Sequence, residues 1–316
     1  MDVVTFGETM VLFTPESTGM MRYAHTYTRK FGGSETNFAI GLARLGHSVG
    51  WISRVGDDEL GKAMLSFVRG EGVDTSCVRL DPDAPTGIYF KEIRKANEVN
   101  VYYYRKGSAA SRMTPADLDE AYLAQARYLF VSGITPALSE TCREMVFAAI
   151  RMAKANGLKV VFDPNLRKKL WTEEQARETL LAIAAQSDII LPGAAEGEFL
   201  FGDNDLEQLG QRFLDLGAKI VVLKLGEKGA HYFTPEENLY VPGFPVEQVV
   251  DPVGAGDGFA AGFISGLLDG LSLAESVKRA NAVGAIVTMV NGDVEGLPDR
   301  SDLQRFMEQP DEEVMR

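Results

Sequence analysis

Cysteine is nearly absent. The chain of 316 residues has two, Cys77 and Cys142, far apart and without metal-ligand spacing, which excludes a disulfide framework, gives no zinc-type cluster and makes a reducing cytoplasm the expected setting. Long hydrophobic runs are missing as well. No window approaches the length of a membrane helix, and the first residues lack the basic flank and apolar stretch of a signal peptide, so neither anchoring nor secretion is expected. Positive charge is in deficit, with 32 Lys and Arg against 45 Asp and Glu and a formal charge of -13. An acidic surface attracts neither nucleic acid nor an anionic membrane, so neither is an expected partner. A phosphorylated ligand would have to be held by backbone amides and a few Arg or Lys. Internal repeats and low-complexity tracts are also absent. What remains is a 45% apolar composition, enough for one large α/β domain or a large domain with a small appendage.

The most informative stretch is Asp251-Pro252-Val253-Gly254-Ala255-Gly256-Asp257, a glycine turn and a carboxylate at the mouth of a helix. Residues 258–268, apolar and rich in small side chains, predict a buried helix packed closely against a sheet. The N–H groups of Gly254, Ala255 and Gly256 are then open donors at a positive helix end, a site for a phosphate or a developing oxyanion. A carboxylate there repels the anion unless it has a task, and the obvious one is taking a proton from an attacking hydroxyl. The competing reading of Asp257 is an N-cap. A second turn, Lys224-Leu225-Gly226-Glu227-Lys228-Gly229-Ala230, lets backbone approach a ligand directly after a strand, although a plain hairpin turn explains the same glycines. Gly56-Asp57-Asp58-Glu59-Leu60-Gly61-Lys62-Ala63 imitates a P-loop but has Ala63 in place of the magnesium-binding hydroxyl and three acidic side chains where phosphates would lie; it reads as a loop entering a helix.

Around these turns, apolar runs at 3–8, 49–55, 128–131, 159–163, 189–191 and 220–224 alternate with helical segments at 35–46, 141–156, 173–185 and 205–216. That β-α-β order predicts a mostly parallel, doubly wound sheet with helices on both faces, where ligands collect at the carboxyl ends of strands. Residues 11–31 and 86–106 break the rhythm. They alternate apolar and polar residues, with a turn at Ala96-Asn97-Glu98, and predict a small antiparallel lid sheet inserted in a single domain spanning 1–316. Period two puts Tyr103 and Arg105 on one face of their strand and Tyr104 on the other. Exposed apolar lid strands make a homo-oligomer built on dimers an expectation. The polar tail 309–316 has little to pack.

Two signatures resemble the ribokinase-like (PfkB) sugar kinases: Gly32-Gly33-Ser34-Glu35-Thr36-Asn37 through Gly56-Asp57-Asp58-Glu59-Leu60-Gly61, and Asp251–Asp257. The resemblance runs over nearly the whole chain. It implies ATP as donor, Mg2+, a doubly wound α/β fold with a β lid, Asp257 as catalytic base, and Gly254, Ala255 and Gly256 as the anion hole. Tyr102 to Ala109, Ser132 to Ser139 and Asp163 to Arg167 are most similar to the branch acting on 2-keto-3-deoxygluconate, with fructokinases or ribokinases as the alternative and a catalytically silent sugar-binding regulator as an alternative of another class. It implies Gly33, Asn37, Tyr89, Tyr103, Tyr104, Arg105, Arg167, Asp257 and Asp293 around the sugar acid. Asn165, Arg167, Leu225 to Ala230, Gly254 to Asp257 and Asn281 are implied around the nucleotide, with Glu196 reaching the metal through water. One departure stands out: the family often has Asn three residues before that Glu, where this chain has Gly193. Arg105 or Arg167 could each hold a carboxylate through two parallel hydrogen bonds, and a neutral hexose would leave a partly buried guanidinium unsatisfied. For the tyrosine run, strand packing is the competing explanation; for Arg167, a structural ion pair.

Overall fold

The computed structural model describes residues 1–95 and 98–308; of the turn expected at Ala96-Asn97-Glu98, Ala96 and Asn97 lie outside the described residues, as do residues 309–316. The strands, in chain order, are β1 (Val3–Phe6), β2 (Met10–Pro15), β3 (Tyr27–Gly32), β4 (Val49–Gly56), β5 (Val78–Asp81), β6 (Ile88–Lys95), β7 (Glu98–Tyr104), β8 (Tyr128–Ser132), β9 (Lys159–Asp163), β10 (Ile189–Ile190), β11 (Ile220–Lys224), β12 (Gly229–Phe233) and β13 (Asn238–Pro242). The helices are α1 (Ser34–Arg44), α2 (Glu59–Gly70), α3 (Glu120–Leu123), α4 (Glu140–Ala155), α5 (Glu173–Ala184), α6 (Ala194–Phe201), α7 (Leu206–Asp215), α8 (Ala255–Leu268), α9 (Leu273–Thr288) and α10 (Arg300–Glu308).

Nine strands form one sheet in the order β13-β12-β11-β10-β9-β8-β1-β4-β5. Its pairings are parallel from β5 through β11, and β12 and β13 complete it as an antiparallel edge. Strand alternation divides the core between two faces: Val3, Trp51, Phe130 and Val222 meet one helix layer, and Val4, Phe6, Leu129 and Leu223 the other. The strand order reverses between β1 and β8, so a crevice opens beyond their carboxyl ends.

One expectation gains a partner and one changes. Helix α8 is buried against the sheet core as expected, and its glycine stripe meets α9: a Cβ on Gly258, Gly262 or Gly266 would come within 3 Å of Val287, Ala280 or Ser276. Glycine every fourth residue lets the two helices close together, while the apolar face with Phe263 and Ile264 joins the sheet core. The lid, in the order β3-β2-β6-β7, is not wholly antiparallel, because β2 pairs with β6 in parallel. The chain crosses the large sheet through α1, β4, α2 and β5 between those two strands, and it re-enters the lid from the same end.

The P-loop imitation at 56–62 is a capped helix start. Asp58 accepts hydrogen bonds from the N–H groups of Gly61 (2.7 Å) and Thr86 (2.9 Å), and Lys62 pairs with Asp57.

Candidate active site

The turn that begins at Asp251 delivers the chain into α8 through Gly254, which has φ +84° and would place a Cβ 2.6 Å from the carbonyl oxygen of Asp293. Glycine is therefore required there. Among the described residues, no acceptor takes the N–H of Gly254 or of Gly256. The N–H of Ala255, expected to be open too, makes a long contact of 3.4 Å with Pro252 O. Two amides at a helix N-terminus thus face the cleft, which has a volume of about 300 Å3 and is lined by Asp163, Asn165, Arg167, Glu196 and Lys224 together with this turn.

Asp257 sits one residue further on, buried, and lines the same cleft. Its Oδ1 accepts from Ser34 Oγ (2.6 Å) and from Asn165 Nδ2 (3.4 Å), and its Oδ2 from Asn37 Nδ2 (2.8 Å). Because α8 has no side-chain cap hydrogen bond, the N-cap reading of Asp257 falls. Burial raises the Asp257 pKa above its ordinary value, opposed by the Ser34 and Asn37 hydrogen bonds and by the charges of Arg167 and Lys224. Such a carboxylate is oriented by three donors and is a stronger base than a solvated one.

Asn165 is the one non-glycine at positive φ (37°) among the described residues. Its own N–H closes onto Asp163 Oδ1 (3.2 Å), and its amide reaches Ser34 Oγ at 2.7 Å. The strained turn after β9 is what carries that amide to the base. Across the cleft, Lys224 Nζ donates to Asp163 Oδ2 at 2.6 Å. Burial pushes the Asp163 carboxyl up to about 6 despite that lysine. Arg167, at the exposed rim, has no carboxylate at ion-pair distance among the described residues, so the structural ion pair considered for it is absent.

The lid meets the large sheet on its inner face. Tyr89 stacks on Tyr103 with ring centroids 5.7 Å apart, and the Arg105 guanidinium lies 5.6 Å from the Tyr103 ring. Tyr89 OH donates to Asp293 Oδ2 (2.9 Å), and burial brings the Asp293 carboxyl up to about 6. Gly32 lies beside these groups, where a Cβ would stand 2.4 Å from Asp293 Oδ2 and 2.5 Å from Tyr89 OH, and the next residue, Gly33, caps α1 with a Cβ position 2.4 Å from Glu8 O. The remaining expected site residues make contacts of their own outside the lining of the cleft. Tyr104 faces outward, 63% exposed and edge-on to Phe90, because alternation puts it opposite Tyr103. Arg105 is not free for a ligand carboxylate: its Nε and Nη2 both bind Glu8 Oε2, at 2.7 and 2.5 Å. Residues 225–228 connect β11 to β12 in a hairpin whose second strand starts with Gly229 and Ala230, and Asn281 donates to Val241 O and Pro242 O.

Residues 1–300 match the pfkB family carbohydrate kinase family. The chain belongs to that family. It is 41% identical over 309 residues to the 2-dehydro-3-deoxygluconokinase of Bacillus subtilis (strain 168), covering 97% of this chain and 95% of the relative. Among solved structures it is similar to the 2-dehydro-3-deoxygluconokinase of Thermotoga maritima (TM-score 0.91, 26% identity, 98% of each chain). It is also similar to the aminoimidazole riboside kinase of Salmonella enterica complexed with aminoimidazole riboside and an ATP analog (TM-score 0.85, 28% identity, 98% of this chain and 100% of that one). The protein is thus a carbohydrate kinase, which transfers phosphate to an alcohol group, and kinases of this family use ATP.

The PfkB cleft suits a triphosphate in its open amides and in Lys224. For a metal the fit is narrower. Among the described residues no three His, Cys, Asp or Glu side chains converge as a cage, and Glu196 already accepts from the N–H groups of Leu166 (2.8 Å) and Gly193 (2.7 Å). Each carboxylate oxygen keeps further acceptor capacity, and Glu196 lines the cleft, an arrangement compatible with a hydrated Mg2+ held through its waters. Among the residues that sequence reasoning missed, Ser34 and Lys224 stood within quoted motifs, Lys224 as the polar end of an apolar run. Asp163 is the last residue of β9 and Glu8 stands two residues beyond β1, carboxylates that close apolar runs, a signal that was available. Glu35 stood in the same motif as Ser34, but its burial was not legible: it is fully buried, accepts from Thr135 Oγ1 at 2.6 Å, and is pushed up to about 7 by burial.

Proposed function

We propose that this kinase phosphorylates the terminal hydroxyl of 2-keto-3-deoxygluconate from ATP, giving the 6-phospho sugar acid. The observation that carries the reading is Asp257, buried and oriented by Ser34, Asn37 and Asn165 beside the open amides of Gly254 and Gly256. Asp257 takes the proton of the attacking hydroxyl, late in a loose phosphoryl-transfer transition state, while the two amides face the developing charge. Mg2+, when bound, neutralises phosphate charge, and Asp163 and Glu196 are the carboxylates near enough to the cleft to hold its waters. Leu225 to Ala230 and Asn281 are proposed to flank the nucleoside. In support, Gly229 packs against Val241 and Gly243, and Asn281 binds the same Val241 carbonyl, so these residues form one contiguous edge beyond Lys224.

The sugar-acid choice rests on Arg167, the uncommitted guanidinium at the cleft, and on the 41% identity to a 2-dehydro-3-deoxygluconokinase. Arg105, with its charge matched by Glu8, contributes Nη1 as a hydrogen-bond donor to sugar oxygens and no longer serves as the carboxylate's counter-charge. Tyr89, Tyr103, Gly33 and Asp293 complete the sugar side under the lid. ADP release measured with a panel of keto-deoxy sugar acids, fructose, ribose and a nucleoside tests this. The sugar acid should give the highest kcat/KM; fructose in first place would replace the reading with a fructokinase, and no sugar-dependent ADP would replace it with a binding protein.

A further inference from the structure

Outside the residues given a role above lies a buried ion pair, Lys91 with Asp251, exposed by only 3% and 5%. Lys91 is two residues after Tyr89 on β6, hence on the same inner face of the lid. Its Nζ donates to Asp251 Oδ2. Asp251 opens the catalytic turn and shapes it: Oδ1 accepts the Val253 N–H at 3.1 Å, Oδ2 also accepts from Gly292 N at 3.4 Å, and the Asp251 N–H is held by Thr288 O at 3.1 Å. Gly292 precedes Asp293, whose carbonyl limits Gly254 and whose carboxylate receives Tyr89. The lid strand therefore grips both segments that set the Gly254 and Gly256 amides, through Lys91 at Asp251 and through Tyr89 at Asp293.

Stability alone does not account for this pair, since an apolar pair of similar volume is commonly as stable as a buried ion pair. What a neutral pair lacks is the hold of an ammonium on the Asp251 carboxylate, which in turn holds the Val253 and Gly292 N–H groups; removing the lysine alone adds an electrostatic cost. An uncompensated Asp251 would put a negative charge at the base of a turn that must receive phosphate, and the carboxyl of Asp293 feels the same lysine. We propose that Lys91 is a positioning residue: its ammonium is the fixed counter-ion of Asp251 and the tie through which the lid sets the Asp251–Asp257 turn for phosphoryl transfer. The inference rests on that turn being the transfer site and goes beyond it by making catalysis depend on a lid residue that touches neither reactant.

The test compares wild type, Lys91→Ala and the double variant Lys91→Met/Asp251→Asn. ADP release at saturating substrates is measured in ammonium chloride and in choline chloride of equal ionic strength, with ATP affinity and Tm alongside. Lys91→Ala should lose about 100-fold in kcat, comparable to removing one oxyanion donor, with ATP affinity changed by only a few-fold. Ammonium should restore at least tenfold to Lys91→Ala and nothing to wild type. The double variant should melt like wild type yet stay slow, with no response to ammonium. Wild-type turnover in the double variant, or a stable Lys91→Ala enzyme that keeps its kcat or ignores ammonium, would overturn the inference while leaving the site intact. If Lys91→Ala does not fold, the double variant decides. A wild type that releases no ADP with any sugar would overturn the reading of the turn itself.

Discussion

The two glycine turns at 224–230 and 251–257 look alike in sequence and differ in what their glycines do. In the first, Gly226 (φ +63°) has open space around its Cα, and Gly229 (φ +102°) lies 2.3 Å, measured from a built Cβ, from Val241 O; both serve the geometry of a β11–β12 hairpin. In the second, Gly254 is hemmed in by Asp293 and releases two unpaired amides into the cleft at the start of a helix. The element that follows makes the difference. A strand consumes the donors of a turn in its ladder, and a helix leaves its first ones free. The chemistry should therefore follow the second turn and the shape of the nucleotide edge the first.

Substitutions can break that division, and the largest effect is expected at Asp257. Asp257→Asn should lower kcat by about 10^2–10^4-fold, the usual range for a lost general base, in a steady-state ADP assay. Next comes Gly254→Ala, in which strain at positive φ and contact with Asp293 O displace the amides; kcat should fall about 10^2-fold, with ATP affinity much less affected. Wild-type kcat should drop about tenfold per pH unit below the Asp257 pKa, because only the ionised base works. Burial raises that pKa, so the acid limb should lie at higher pH than for a solvated aspartate. ATP binding, measured by calorimetry over the same range, should not share that limb. At the first turn, Gly229→Ala should lower unfolding free energy by about 1–3 kcal/mol, and Gly226→Ala by only about 1 kcal/mol, each read from urea midpoints.

What could be read from the sequence follows the range of the interactions. Strands such as Lys159–Asp163 and Ile220–Lys224 were legible to the residue because apolar runs bounded by turns are local signals. The DPVGAGD turn was legible because glycine, carboxylate and helix start are adjacent. The partners were not. Ser34 reaches Asp257 across 223 positions and Arg105 reaches Glu8 across 97, and no periodicity reports such a contact. For that reason the lid face of Arg105 could be read from the strand while its pairing with Glu8 could not: the face is a property of the strand, and the partner depends on the fold. The parallel β2–β6 pairing was hidden likewise, since it depends on where the chain goes between two lid strands. Helix α9, by contrast, announces itself with a Ser272–Glu275 capping box, a local signal that sequence reasoning passed over.

The most direct test sets the two turns against each other by measuring kcat and ATP affinity for Asp257→Asn and Gly229→Ala in the same preparation series. Asp257→Asn should bind ATP within a few-fold of wild type and scarcely turn over, while Gly229→Ala should bind ATP more weakly and keep its kcat once saturated. An Asp257→Asn enzyme that turns over like wild type would contradict the account.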